Sequence, residues 1–184
     1  MSTNTITTFF ALSAVAILVM AAAASVVWTA ARYSERAARL KGAVVESLGA
    51  SAPLLAWVVA LAATLGSLYY SEIADFIPCE FCWYQRIAMY PLALILGIAA
   101  WRKDRDIWRY ALPMVAVGAG LSGYHYLIQR FPDLAASSCS ATAPCTAAWV
   151  WKFGFVSIPV MAFACFAAIA WLLVIGRQYR SAAG

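Results

Sequence analysis

The sequence predicts an all-α membrane protein, a four-transmembrane-helix bundle with an additional N-terminal transmembrane helix. Of its 184 residues, 65% are hydrophobic and 11% are charged, whereas a soluble domain has about 45–50% apolar and about 25% charged residues. Five windows reach the length of about 20 apolar residues that a helix needs to cross a bilayer. Backbone groups in lipid must pair within their own segment, so the five spans are predicted to be helices.

The predicted spans are joined by short connections, apart from one long loop before the last span. In order they are Ile6–Ala31, Ala52–Ser71, Cys82–Trp101, Trp108–Ile128 and Phe155–Ile175. They divide the chain into an N-terminal helix with a basic linker (1–50), a four-helix bundle (51–177) and a tail (178–184). Apolar residues between 37 and 48 recur at helical spacing, which predicts a short amphipathic helix on the membrane surface.

Ten of the thirteen Lys and Arg residues fall on one side of this arrangement. They are Arg32, Arg36, Arg39, Lys41, Arg102, Lys103, Arg105, Arg109, Arg177 and Arg180. Because cytoplasmic loops are rich in Lys and Arg, we expect the N-terminus outside and the C-terminus in the cytoplasm. The bases lie in short loops and form no continuous face interleaved with aromatic residues, so no binding of nucleic acid is expected.

Four cysteines lie in the two loops that this topology places outside the cytoplasm. Cys79 and Cys82 precede the third span, and Cys139 and Cys145 lie in the loop of roughly 129–154. Outside the cytoplasm, disulfides persist, so both pairs could be structural bridges. A bridge across four residues removes little chain entropy, however, and a tight Cys-x-x-Cys pair more often does redox chemistry. An oxidising compartment disfavours a zinc site, and no metal is expected.

Four side chains near the third and fourth spans are candidates for a redox site. The third helix is predicted to begin near Cys82, where the helix dipole and Arg86 one turn later favour a thiolate, with Cys79 as the more exposed exchange partner. Arg86 either extends to the interface or hydrogen-bonds a carbonyl oxygen of a membrane quinone. His125, near the outer end of the fourth span, either packs there or carries a proton for a two-electron acceptor.

Two motifs carry a resemblance to a known family. The run CEFCWYQRIAMYP from Cys79 to Pro91 resembles the disulfide-bond-formation protein B (DsbB) family, in its BdbC-like branch with shorter loops. The run FGFVSIP from Phe153 to Pro159 resembles the start of that family's last helix, and the likeness covers roughly Ala52–Ile175. It implies a helical bundle in the bacterial cytoplasmic (inner) membrane that binds a quinone, ubiquinone or menaquinone. It also implies a thiol oxidase that re-oxidises an extracytoplasmic thioredoxin-fold protein of DsbA type.

The resemblance also implies a role for each candidate residue. The partner's thiolate would attack Cys139, and the mixed disulfide would be resolved with Cys145. Electrons would then pass to Cys79 and Cys82, with Cys82 beside the quinone. From there they would enter the membrane quinone pool. Arg86 matches the family's quinone-proximal arginine, and His125 falls near the family's histidine before the second loop.

The chain departs from the family pattern at its N-terminus, where the additional span has no derived role. Three other interpretations stay open at this point. The protein could have disulfides that only brace its loops, or it could be a membrane sensor of metal or redox state. It could also be a quinone reductase like the vitamin K epoxide reductase family. That family places its loop cysteines before the Cys-x-x-Cys motif, whereas here they follow it.

Overall fold

The computed structural model describes residues 3–104, 106–134, 139 and 143–183. These described residues form six α-helices: α1 (Thr3–Ala30), α2 (Glu35–Leu48), α3 (Ala52–Glu72), α4 (Glu80–Arg102), α5 (Trp108–Arg130) and α6 (Ile158–Ala183). A single 3₁₀ turn, Pro132–Leu134, follows α5. The described residues contain no β-strand. The protein is therefore an all-α membrane protein, as the sequence predicts.

Five of the helices are long and apolar enough to cross a membrane, namely α1, α3, α4, α5 and α6. This confirms the five predicted spans, with differences at their ends. Helix α4 begins at Glu80, two residues before the predicted span Cys82–Trp101. Helix α6 begins at Ile158 rather than Phe155, because Lys152 and Val156 exchange two backbone hydrogen bonds of 2.8 Å across a tight turn that holds the chain up to Val156 out of a helix. The predicted cytoplasmic base Arg105 lies outside the described residues.

Helices α3, α4, α5 and α6 form a four-helix bundle. Each packs on two neighbours, α3 on α4 and α6, and α5 on α4 and α6. The core contains Leu92 and Leu96 of α4 and Phe166 of α6, all fully buried. Gly118 lets α5 approach α6 closely, because a Cβ atom at this position would collide with the Phe166 ring.

The two N-terminal helices lie against this bundle. Helix α1 packs on α6, with Ala11 and Ala14 buried at the contact. Helix α2 packs on α1 and α6, which confirms the predicted short helix, and Val45 is its buried residue. The additional N-terminal helix is therefore a packed part of the molecule.

The end of the bundle opposite the cysteines combines basic residues with tryptophans. The guanidinium of Arg177 lies 4.3 Å from the ring centroid of Trp108, and Lys41 lies 5.6 Å from that of Trp28. Arg180 of α6 pairs with Asp106 just before α5. Basic and aromatic residues of this kind are typical of a cytoplasmic membrane interface. The direction in which the protein crosses the membrane remains a prediction.

A cysteine and histidine site at one end of the bundle

Both cysteine pairs meet at the same end of the molecule. Cys79 and Cys145 are buried there against Ile128, with Cys82 and Cys139 packed around them. The start of α4, the last turns of α5 and the loop before α6 therefore bring residues far apart in the chain into one cluster. The sequence placed both pairs on one side of the membrane, and the structure shows them in contact.

The two pairs differ in their bonding. Cys139 and Cys145 form a disulfide with a Cα–Cα distance of 5.9 Å. Cys79 and Cys82 are free thiols whose sulfur atoms lie 2.9 Å apart. A disulfide bond is about 2.05 Å long, so a small movement of either sulfur atom would close this pair.

Cys79 occupies the position that caps the N-terminus of α4. Its backbone is extended, with φ −76° and ψ 173°, and its carbonyl oxygen accepts a hydrogen bond from the Trp83 amide at 3.2 Å. The Cys79 sulfur thus lies where the first amide groups of the helix point, which favours a negative charge.

His125 connects α4, α5 and the cysteine loop. The Gln85 amide nitrogen donates to His125 Nδ1 at 2.9 Å. Because Nδ1 accepts, the ring proton belongs on Nε2. Nε2 lies 3.6 Å from the Cys79 sulfur and 3.2 Å from the Cys145 carbonyl oxygen. The buried His125 N–H is therefore shared between a sulfur atom and a loop carbonyl.

Hydrogen bonding makes Cys79 the thiolate of the free pair. The hydrogen bond from the Cys82 thiol and, more weakly, the one from His125 lower the pKa of Cys79 to about 4, although burial raises it. The sequence interpretation placed the thiolate at Cys82 and described Cys79 as the more exposed thiol. The exposure was wrong, since Cys79 is 7% exposed and Cys82 is half-buried. The negative charge also lies on Cys79 rather than on Cys82, because α4 begins at Glu80, directly after Cys79, and His125 of α5 reaches the Cys79 sulfur.

Arg86 is buried and does not extend to the interface. Its Nε atom donates to the Ser67 hydroxyl at 3.0 Å and its Nη2 atom to the Ser67 carbonyl at 3.1 Å. The guanidinium also lies 5.0 Å from the Trp83 ring centroid. In the described parts of the chain no carboxylate pairs with it. A buried cation without an acidic partner is typical of a binding site in a membrane protein.

A cavity of about 270 Å³ lies beside this arginine. Cys82, Gln85 and Arg86 of α4 line one side of it. Most of the remaining wall is apolar and comes from α1, α3 and α6. The cavity therefore joins the Cys82 thiol and one buried cation within a mostly apolar space, and the free Cys165 of α6 also borders it.

The same cluster contains a set of atoms that could ligate a metal. The Cys79 and Cys82 sulfurs and a His125 nitrogen all lie within 4.8 Å of one another. Thiolate and imidazole suit soft metal ions, but oxidation of the two thiols to a disulfide would remove two of the three ligands. The donor set thus fits redox exchange at least as well as a stable metal site.

Sequence reasoning missed two polar residues of the site. Gln85 fixes His125, and Ser67 of α3 holds Arg86. Both are polar side chains inside apolar spans, and that is the signal that could have found them. Their partners lie on other helices, so the sequence alone does not indicate what they bind.

Comparison with known proteins agrees with this geometry. A family model described as Disulfide bond formation protein DsbB matches residues 49–176. The chain belongs to the DsbB family. Disulfide bond formation protein C of Bacillus subtilis (strain 168) is 51% identical over 120 residues, covering 65% of this chain and 83% of that protein. A probable disulfide formation protein of Oceanobacillus iheyensis is 46% identical over 134 residues, covering 70% of this chain and 92% of that protein. No solved structure matches the chain.

The match to the DsbB family contains the whole cluster. Both cysteine pairs, Arg86 and His125 fall within residues 49–176. Helix α1 and nearly all of the linker that follows it lie before the matched region. The BdbC-like branch that the motifs indicate is confirmed by the names of the similar relatives.

Proposed function

We propose that this DsbB-family protein is a thiol oxidase that re-oxidises an extracytoplasmic, DsbA-like thioredoxin-fold protein and passes the electrons to a membrane quinone. One observation carries the proposal. Cys82 lines the cavity together with Arg86, while its partner Cys79 lies in one buried cluster with Cys145 of the loop disulfide, and His125 Nε2 is within hydrogen-bond reach of both residues. The sulfur atoms thus form a path from the loop to an apolar cavity within the bundle.

The loop disulfide is suited to receive the partner. Cys139 is half-buried, whereas Cys145 is 1% exposed. A partner thiolate therefore attacks the Cys139 sulfur, which breaks the Cys139–Cys145 bond and leaves Cys145 as a thiolate that takes up a proton. The partner's second thiolate then attacks its own half of the mixed disulfide. The partner leaves as a disulfide, and the loop pair holds two electrons and two protons.

The loop pair then reduces Cys79–Cys82 by a second exchange. Cys145 and Cys79 belong to the same buried cluster, so in this step the Cys145 thiolate attacks the Cys79 sulfur and releases Cys82. Attack by Cys139 on Cys145 restores the loop disulfide and leaves Cys79 and Cys82 reduced. This is the bonding that the structure shows, with Cys139–Cys145 joined and Cys79 and Cys82 free.

The free pair is arranged to give up its electrons through Cys82. The low pKa of Cys79 keeps it a thiolate at neutral pH, and it lies 2.9 Å from the Cys82 sulfur. It is therefore in place to close the Cys79–Cys82 disulfide as two electrons and the Cys82 thiol proton pass to the acceptor, which takes its second proton from solvent. His125 donates its Nε2 proton towards Cys79 and so stabilises the charge before the bond forms.

The cavity fits a quinone in size and chemistry. A cavity of about 150 Å³ admits a benzene ring, and this one is about 270 Å³ with mostly apolar walls. Arg86 donates two of its five N–H groups to Ser67, which leaves others to bind a carbonyl oxygen. A bound quinone would supply a two-electron, two-proton acceptor next to Cys82.

The redox potentials favour such an acceptor. DsbA-type dithiols can have potentials near −120 mV, and each 30 mV of two-electron difference corresponds to about 1.4 kcal/mol. A glutathione-like couple, with a reduction potential of about −200 mV, would lie below the potential of the partner and could not accept its electrons. A lipid-soluble acceptor of higher potential supplies the required driving force.

A direct experiment combines extraction with turnover. The purified protein is analysed for co-extracted quinone, and is then given a quinone and a reduced thioredoxin-fold partner while oxidation of the partner is followed. We expect oxidation that depends on quinone, loss of it in Cys82→Ser, and full retention in the neighbouring surface variant Tyr84→Phe. Full activity of Cys82→Ser would rule out the proposed relay.

A further inference from the structure

The cavity beside Cys82 and Arg86 has a wall from outside the family domain. Helix α1 supplies Phe9, Phe10, Ser13, Ala14 and Ile17 to its lining, yet α1 ends at Ala30, before the matched residues 49–176 begin. The α1 backbone packs on α6, and the cavity lies in the space that α1, α3, α4 and α6 enclose.

The two sides of the cavity differ in polarity. Helix α4 brings a thiol, an amide and a guanidinium from Cys82, Gln85 and Arg86. The α1 side is apolar, since its one hydroxyl, on Ser13, donates to the Phe9 carbonyl at 2.9 Å within the helix itself. One helix thus offers polar groups to a carbonyl-bearing ring, and the other offers an apolar surface.

Helix α1 is fixed in this position near the cysteine end. The Lys152 ammonium donates to the Asn4 side-chain oxygen at 2.5 Å. Four aromatic rings continue from α1 through α3 to the loops before α4 and α6, with centroid distances of 6.1, 5.6 and 5.3 Å. The rings are those of Phe10, Tyr70, Phe76 and Trp149. Phe10 also packs over Gly66, where an added Cβ would lie 3.4 Å from the ring.

We propose that α1 is part of the quinone site, forming the apolar wall that encloses the ring and the first part of its isoprenoid tail. This inference rests on the proposed function, because the occupant is the quinone acceptor. By closing the side of the bundle between α3 and α6, α1 keeps lipid chains away from Cys82 and Arg86. Residues of α1 therefore set which quinones bind and how tightly.

Matched variants on the two faces of α1 test the inference. Ser13→Phe fills the cavity, whereas Ala16→Phe adds the same ring on the exposed face. Ile17→Trp and Val19→Trp form a second pair, with Val19 63% exposed. The readouts are the KM for a short-tailed quinone and the labelling of the full-length protein by a photoreactive quinone, mapped by peptide mass spectrometry. Retention of the Cys139–Cys145 disulfide and of the melting temperature shows that each variant is folded.

We expect the photoreactive quinone to label peptides of both α1 and α4. Ser13→Phe and Ile17→Trp should raise the KM about tenfold or more, which corresponds to about 1.4 kcal/mol, and should lose most of the label. Ala16→Phe and Val19→Trp should match the unchanged protein in both readouts. Reduction of the loop disulfide by a dithiol without quinone should be equal in all five proteins, because α1 takes no part in that step.

Two results would overturn the inference, and they are distinguishable. The first is quinone-dependent turnover with label on α4 and none on α1, together with equal KM values for both variants of each pair. This result would show that α1 is not part of the quinone site, and the proposed function would stand. A protein that neither reduces nor is labelled by any quinone would refute the proposed function, and the role of α1 would fall with it.

Discussion

Replacing His125 by phenylalanine tests the origin of the Cys79 thiolate. The substitution keeps a ring in the buried site next to Phe81, whose centroid is 5.6 Å away, but removes the N–H that faces the Cys79 sulfur. A hydrogen bond to a charged group contributes about 1.5–3 kcal/mol. The bond here is 3.6 Å long and shared with the Cys145 carbonyl, so the lower end of that range applies. At about 1.4 kcal/mol per pKa unit, the pKa of Cys79 should rise by about one unit from about 4.

The assay is the rate of Cys79 alkylation in the reduced protein between roughly pH 3 and pH 9. Because the thiolate is the reactive form, the rate falls as the pH drops through the pKa of Cys79, and the midpoint should move upwards in His125→Phe. Tyr126→Phe is the matched control, since Tyr126 is the next residue on α5 and stacks on Trp151 instead. Equal midpoints in all three proteins would refute the role of His125. A midpoint near the ordinary cysteine value in the unchanged protein would refute the Cys79 thiolate itself.

Three further predictions concern the loop disulfide, the buried arginine and the helix packing. A reduced partner whose second active-site cysteine is replaced by serine should be trapped in a mixed disulfide with Cys139, visible on non-reducing gels and located by peptide mass spectrometry, because Cys145 is buried. A mixed disulfide with Cys145 instead would contradict the proposed order of attack. Arg86→Gln should weaken quinone binding by roughly tenfold to a hundredfold, as expected for loss of a charged hydrogen bond, and should leave the alkylation of Cys79 unchanged. An unaltered KM for quinone would show that Arg86 has only a structural role. Gly118→Ala should lower the stability of the detergent-solubilised protein by about 1–3 kcal/mol through overpacking. Gly120→Ala should not, because the added methyl group would lie in open space. Equal melting temperatures of the two variants would show that α5 is not tightly packed at Gly118.

The sequence predicts most of the fold because apolar length and charge are local properties. The five spans and the short amphipathic helix appear at nearly the predicted bounds. The pairing of Cys79 with Cys82 is also a local feature, since only two residues separate them. The sequence did not indicate which cysteine pair is bonded at rest, and the structure contains the Cys139–Cys145 bond.

The site was less predictable because its contacts join separate helices. His125 meets Cys79 across 46 positions of sequence, and Arg86 meets Ser67 across 19. Helical periodicity in the sequence does not reveal contacts between residues so far apart in the chain. The thiolate was therefore assigned to Cys82 from its sequence neighbours alone. The role of α1 was equally hidden, since its residues are apolar and only the packed structure shows which of them border the cavity.

The shared proton of His125 has a consequence for the timing of the reaction. While the loop is docked, the Cys145 carbonyl takes part of the Nε2–H bond and leaves the sulfur with the rest. If the loop swings out towards a partner, the imidazole has a single acceptor left and gives its full bond to Cys79. The position of the loop would then adjust the stability of the Cys79 thiolate, which would be greatest while the loop is away from His125.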